Sequence, residues 1–176
     1  MMKPRVMPII ITAAISASVL FGGWAIYNQA AVAAPLEKAV KNVEGVVSST
    51  KPVMTSDRVM IDMVLEPDAN VKSIYETVQA NGKDVFGDRK LELNIKAESS
   101  KQLEELWSAS LFQVAEAMET KAYSDIPIAM AEAAESYKDV SVTTDMDDTN
   151  VYITIKNAES VKYVVLPRAA AQLGVW

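Results

Sequence analysis

Arg58-Val-Met-Ile-Asp-Met-Val-Leu65 is the stretch on which the fold turns. Val59, Ile61, Met63 and Leu65 alternate with Arg58, Met60, Asp62 and Val64, the period of two that places alternate side chains on opposite faces of a sheet. One row is apolar and the other mixed, so the strand needs a covering layer on one side only. Pro67-Asp68-Ala69-Asn70 follows as a helix start signal, because a short carboxylate or amide side chain can cap free backbone N–H groups. Val71, Ile74, Tyr75, Val78 and Val85 then recur at helical spacing, with Asn81-Gly82 or Gly87 as the stop.

Working outward, Lys90 to Ala97 alternates cleanly, with Leu91, Leu93, Ile95 and Ala97 facing in and Lys90, Glu92, Asn94 and Lys96 facing out. Upstream, Leu36 to Val43 forms two helical turns, Glu44-Gly45 turns the chain, and Val46 to Thr50 reads as a strand with Lys51 to Asp57 as its loop. Downstream, Ser99 and Ser100 open a long helix with the stripe Leu103, Leu106, Trp107, Leu111, Val114, Met118 and Ala122. Pro127 interrupts it and is tolerated in the first turn of a second helix, Ile128 to Tyr137. Val140 to Thr144, Asn150 to Lys156 and Val161 to Leu166 close the chain as a three-stranded meander. The expectation is an α+β domain of order α-β-β-α-β-α-α-β-β-β, its mostly antiparallel sheet packed on helices in two layers.

The order helix, two strands, helix, strand over residues 36–97 resembles the small α-β-β-α-β modules found outside bacterial membranes, such as BON domains and ring-building motifs. The resemblance covers about a third of the chain and rests on element order alone, so it implies a module shape and no site.

Val6 to Tyr27 is uncharged and directly follows Lys3 and Arg5. At about 1.5 Å per residue it is long enough to cross a hydrocarbon core of about 30 Å, and the preceding basic residues keep the N-terminus cytoplasmic. Two outcomes fit this segment. An uncleaved anchor places Trp24 and Tyr27 in an interfacial aromatic belt, whereas a secretory signal would be cut after Ala33, at Ala31-Val32-Ala33. Residues 1–33 are therefore read as an anchor or signal segment and residues 34–176 as a single extracytoplasmic domain. Lys3 and Arg5 are the charged residues of 1–33, so 34–176 holds 15 of the 17 basic and all 23 acidic side chains, a net charge of −8. That balance argues against nucleic acid as a partner, which needs a basic footprint.

The chain contains no His and no Cys. Imidazole acid–base catalysis, Ser-His and Cys-His nucleophilic pairs, disulfides and ordinary zinc sites are thereby removed. Asp145, Asp147 and Thr149 form the densest oxygen cluster, but they lack the central Gly and distal Glu of an EF-hand loop and read first as hairpin-turn chemistry. Ser100 and Lys101 are adjacent and point about 100° apart on a helix, so they do not form a dyad by themselves. Trp107, Tyr75 and Phe112 are assigned to core packing. Tyr152 falls on the outer face of its strand, and with Met60 and Val64 it reads either as a docking patch on the open sheet or as apolar residues exposed singly.

The leading expectation is a single-pass cell-membrane protein of a bacterial envelope. It is held by residues 6–27, and its extracytoplasmic domain binds other envelope proteins or itself without catalysis. No catalytic residue, cofactor or metal is assigned. The second reading is a cleaved, secreted domain that binds a ligand or inhibits an enzyme. A third is a carboxylate-dependent envelope hydrolase, which requires two Asp or Glu side chains directed into a deep pocket.

Overall fold

A computed structural model describes residues 6–27 and 34–168, and in the first two helices the side chains of 11–23, 36, 37, 40 and 41. Helix α1 (Val6–Tyr27) precedes the folded part, and α2 (Ala34–Lys41) begins it. Every described side chain from Ile11 to Gly23 is exposed. Among the described residues no helix is both long and apolar enough to cross a membrane; both ends of the expected span lie outside the described side chains. Ala33 also lies outside the described residues.

Strands β1 (Val46–Ser49), β2 (Val53–Met54) and β3 (Arg58–Leu65), helix α3 (Val71–Phe86) and strand β4 (Lys90–Lys96) form the first half. β1 and β2 both pair antiparallel with β3, and β4 pairs with it in parallel, Ile61 opposite Leu93. The parallel pair follows from the connection, since a strand that returns through a helix arrives in the same direction. The expected alternation of β3 holds: Val59, Ile61, Met63 and Leu65 are buried. They pack under Leu36 and Val40 of α2 and Ile74, Val78 and Phe86 of α3.

Asn70 caps α3 by accepting from Ser73 N–H at 2.9 Å, and Gly87, at φ +57°, ends it. The helix continues through Gly82, because Phe86 folds back over that position; a Cβ there would overlap the Phe86 ring. β2 is a strand not anticipated in the Lys51 to Asp57 loop.

The second half is a helical hairpin, α4 (Lys101–Thr120) and α5 (Asp125–Glu135), followed by the meander β5 (Ser141–Met146), β6 (Asn150–Lys156) and β7 (Val161–Pro167). Ser100 caps α4, and Lys121 in the left-handed region ends it. α5 begins at Asp125, earlier than expected, which places Pro127 in its first turn, where a missing N–H costs nothing. Leu103, Leu106, Val114, Ile126 and Met130 pack on Val151, Ile153 and Ile155 of β6.

The fold is α+β, as expected, but it has two sheets instead of one. The first sheet is covered on one face by α2 and α3. The second lies between α4–α5 and the first half, because Tyr152, Tyr163 and Val165 join the core of the first half. β6 is thus covered on both faces, fully on the row Val151, Ile153 and Ile155 and at Tyr152 on the other, which is why a two-layer reading fails.

Candidate interaction surfaces and the seam between the sheets

Met60 and Val64 share the open face of β3, as their alternation requires. Val64 is 39% exposed, Met60 is half-buried, and exposed Val53 lies opposite Met60 on β2. Around them runs a charged lattice: Arg58 bonds Glu92 at 3.3 Å, Lys96 bonds Asp62 at 2.9 Å, and Asn94 donates to Asp62 at 3.1 Å. The Lys96 and Asn94 hydrogen bonds hold the Asp62 carboxyl below its ordinary range. The face is therefore a narrow apolar strip inside paired charges.

Tyr152 does not belong to that patch. It is 3% exposed, with its ring 5.5 Å from that of Tyr75 and tilted 55° to it, in the seam where the two halves meet. Its hydroxyl donates to Asp147 at 2.6 Å and accepts from Asn150 Nδ2 at 3.2 Å. The outer face of β6 is an outer face only until the first half of the chain docks on it. Tyr75 meanwhile accepts from Leu93 N–H at 2.9 Å, which satisfies a backbone donor of β4.

Around the two tyrosines the seam is polar. Lys72 bonds Asp145 at 2.9 Å, Lys156 pairs with Asp68, and Tyr163 donates to the Glu66 carbonyl at 2.7 Å. A cleft of about 140 Å³ opens between them. Its carboxylates, Asp68 and Asp145, each rest on a lysine, and the Lys156 hydrogen bond holds Asp68 below the usual carboxylate range. A general acid needs the opposite shift. A larger groove of about 590 Å³ beside α2 and α3 is lined by Asn42, Ser73, Thr77 and Asn81, with Glu44 as its titratable group.

The oxygen cluster is a hairpin turn. One Asp147 carboxylate oxygen accepts from the N–H groups of Thr149 at 2.6 Å and Asn150 at 2.7 Å and from Thr149 Oγ1 at 2.8 Å, while the other takes the Tyr152 hydroxyl. Asp145 is committed to Lys72, and among the described residues no group of three or more carboxylates converges. Ser100 and Lys101 are likewise occupied, the first as helix cap and the second with Glu105 at 3.3 Å.

The assignment of Phe112 to the core is corrected. Its side chain is 83% exposed, and Leu111 beside it is 41% exposed. Ser110 and Ala117 occupy the inward line instead, with Ser110 Oγ returning to the Trp107 carbonyl at 3.0 Å. Trp107 is half-buried against the second core. On α5, Ile128 is 57% exposed. Both helices thus turn one side to the sheet and show large apolar side chains on the other, a surface that alternation and stripe counting missed.

Comparison with protein-family models, curated proteins and solved structures returned no match.

Proposed function

We propose that the chain is a membrane-tethered interaction module of a bacterial envelope, with residues 6–27 in the bilayer and residues 34–176 outside it, binding other proteins without catalysis. One observation carries the reading. Ile11, Ile15, Val19, Leu20 and Phe21 point to different sides of α1 and all are exposed, while the domain completes its cores without them. Apolar groups distributed around a helix need an apolar medium or a covering partner. Lys3 and Arg5 orient the segment with its N-terminus inside. Met60, Val64 and Val53 offer the domain one docking strip on the open face of β3.

The test is extraction and mass. The intact chain is expected to stay in the membrane pellet through alkaline carbonate, to enter detergent, and to lose its domain to protease added outside the cytoplasmic membrane. Release by carbonate would overturn the tether. A mature chain beginning at Ala34 would do the same and leave the secreted, ligand-binding reading in its place.

A further inference from the structure

Phe112 stands at the solvent pole of α4, directly opposite the line Leu106, Ser110, Val114 and Ala117 that enters the core. Seven residues before it lies Glu105 and seven after it Glu119, each about 10 Å away along the helix axis, and Glu116 lies one turn on. Ser108, Leu111 and Ala115, all exposed and uncharged, fill the space beside it. Glu105 is paired with exposed Lys101, whereas Glu116 and Glu119 make no ion pair among the described residues. α4 therefore shows an aromatic knob on a small apolar field bordered by carboxylates.

We infer that this face of α4 docks into an apolar groove of a partner protein whose rim carries lysine or arginine. Phe112, with Leu111 and Ala115 beside it, supplies one apolar anchor for a partner's groove, and Glu116, Glu105 and Glu119, one and two turns away, stand where a wholly apolar groove would ask for further anchors. The charge pattern selects the occupant. A second copy would set carboxylates against carboxylates, in a domain whose net charge is −8 from 23 acidic and 15 basic side chains. An anionic lipid surface meets the same repulsion. A basic rim pairs with Glu116 and Glu119 around the buried ring and steers encounter as well. This inference rests on the reading of the chain as an interaction module, and it supplies that module with a second surface and a class of partner.

A photo-crosslinking phenylalanine analogue placed at position 112 of the full-length chain, irradiated in native membranes, tests it. The expected product is one adduct with a different protein, joined to an apolar segment that mass spectrometry shows to be flanked by Lys or Arg. Raising the salt concentration, and separately Glu116→Lys with Glu119→Lys, should each lower its yield about fivefold. An adduct with a second copy, an adduct with lipid, an adduct indifferent to both salt and charge reversal, or no adduct overturns the inference. Fractionation of the same sample reads tethering separately: a chain found outside the membrane that still forms the adduct refutes the tether and keeps the docking face.

Discussion

Tyr152 donates its hydroxyl to Asp147 at 2.6 Å, five residues back along the same hairpin, and so closes the β5–β6 turn over a buried phenol. The bond couples a local turn to the seam between the two halves, because the same ring packs on Tyr75 of α3. Tyr152→Phe keeps the ring and removes the bond. It is expected to lower unfolding free energy by about 1–2 kcal/mol, and Tyr152→Ala, which also empties the seam, by about 3–5 kcal/mol. Urea midpoints at constant m-value measure both.

Acid should act through the same turn. Burial opposes the charge on Asp147, but the hydrogen bonds from Tyr152 and from the N–H groups of Thr149 and Asn150 together outweigh it and hold the carboxyl below its ordinary range. A carboxyl depressed in the folded state contributes stability that is complete above its unfolded value of about 3.9 and is lost as pH falls through the folded value. Asp147→Asn is therefore expected to be less stable at neutral pH and to show a shallower acid decline. A parallel acid limb for variant and parent in urea midpoints would contradict this.

Alkali should reverse the sign. Burial, and after it the bond to Asp147, raises Tyr152 far above the ordinary tyrosine value, and burial raises Tyr75. A group raised in the folded state lends stability that is full below its unfolded value, about 10, and is lost as pH climbs through the folded value. Stability should fall above about pH 10, with tyrosinate absorbance appearing at the unfolding transition, and Tyr152→Phe should flatten that fall.

Position 112 separates surface from core directly. Phe112→Ser is expected to move stability by no more than about 0.5 kcal/mol, since the ring is 83% exposed. Leu106→Ala, at a fully buried position six residues earlier, should cost about 2–5 kcal/mol. Thermal melts of the two variants side by side decide it.

The contrast between β3 and β6 shows which parts of the fold are legible in the sequence. In β3 the alternation marks one buried and one open row, and both rows lie where the pattern puts them. β6 alternates as well, yet both of its rows are covered, since the second cover is the first half of the chain, docked from far away in sequence. Period-two patterning reports how a strand's side chains divide between faces, not whether a remote module later covers the polar one. The same limit hid the separation into two sheets, whereas the parallel pairing of β4 with β3 follows from the strand–helix–strand order itself. In α4 a different error arose, because counting large residues favoured Leu111 and Phe112, whereas the inward line runs through Ser110 and Ala117, small residues that a search for bulky apolar side chains passes over. Helical geometry alone places Phe112 about 200° from both Ser110 and Val114, and so could have found it. The ion pairs of the seam, Lys72 with Asp145 and Lys156 with Asp68, join residues more than seventy positions apart and leave no trace in local pattern.

Gly82 offers the sharpest test of packing against propensity. Alanine in the middle of a helix normally stabilises it by about 1 kcal/mol over glycine. Here the new methyl would occupy the place of the Phe86 ring, which is 3% exposed and wedged into the first core, so the ring must leave its site or the helix must bend. Overpacking of this kind costs about 1–3 kcal/mol, enough to reverse the gain. Gly82→Ala is therefore expected to destabilise the parent chain by about 1–2 kcal/mol. In a Phe86→Ala background the obstruction is gone, and the same change should stabilise by up to about 1 kcal/mol. The reversal of sign between the two backgrounds, read from urea midpoints, is the diagnostic. Stabilisation in both would mean that Phe86 does not hold the position, and destabilisation in both would place the strain in the helix backbone.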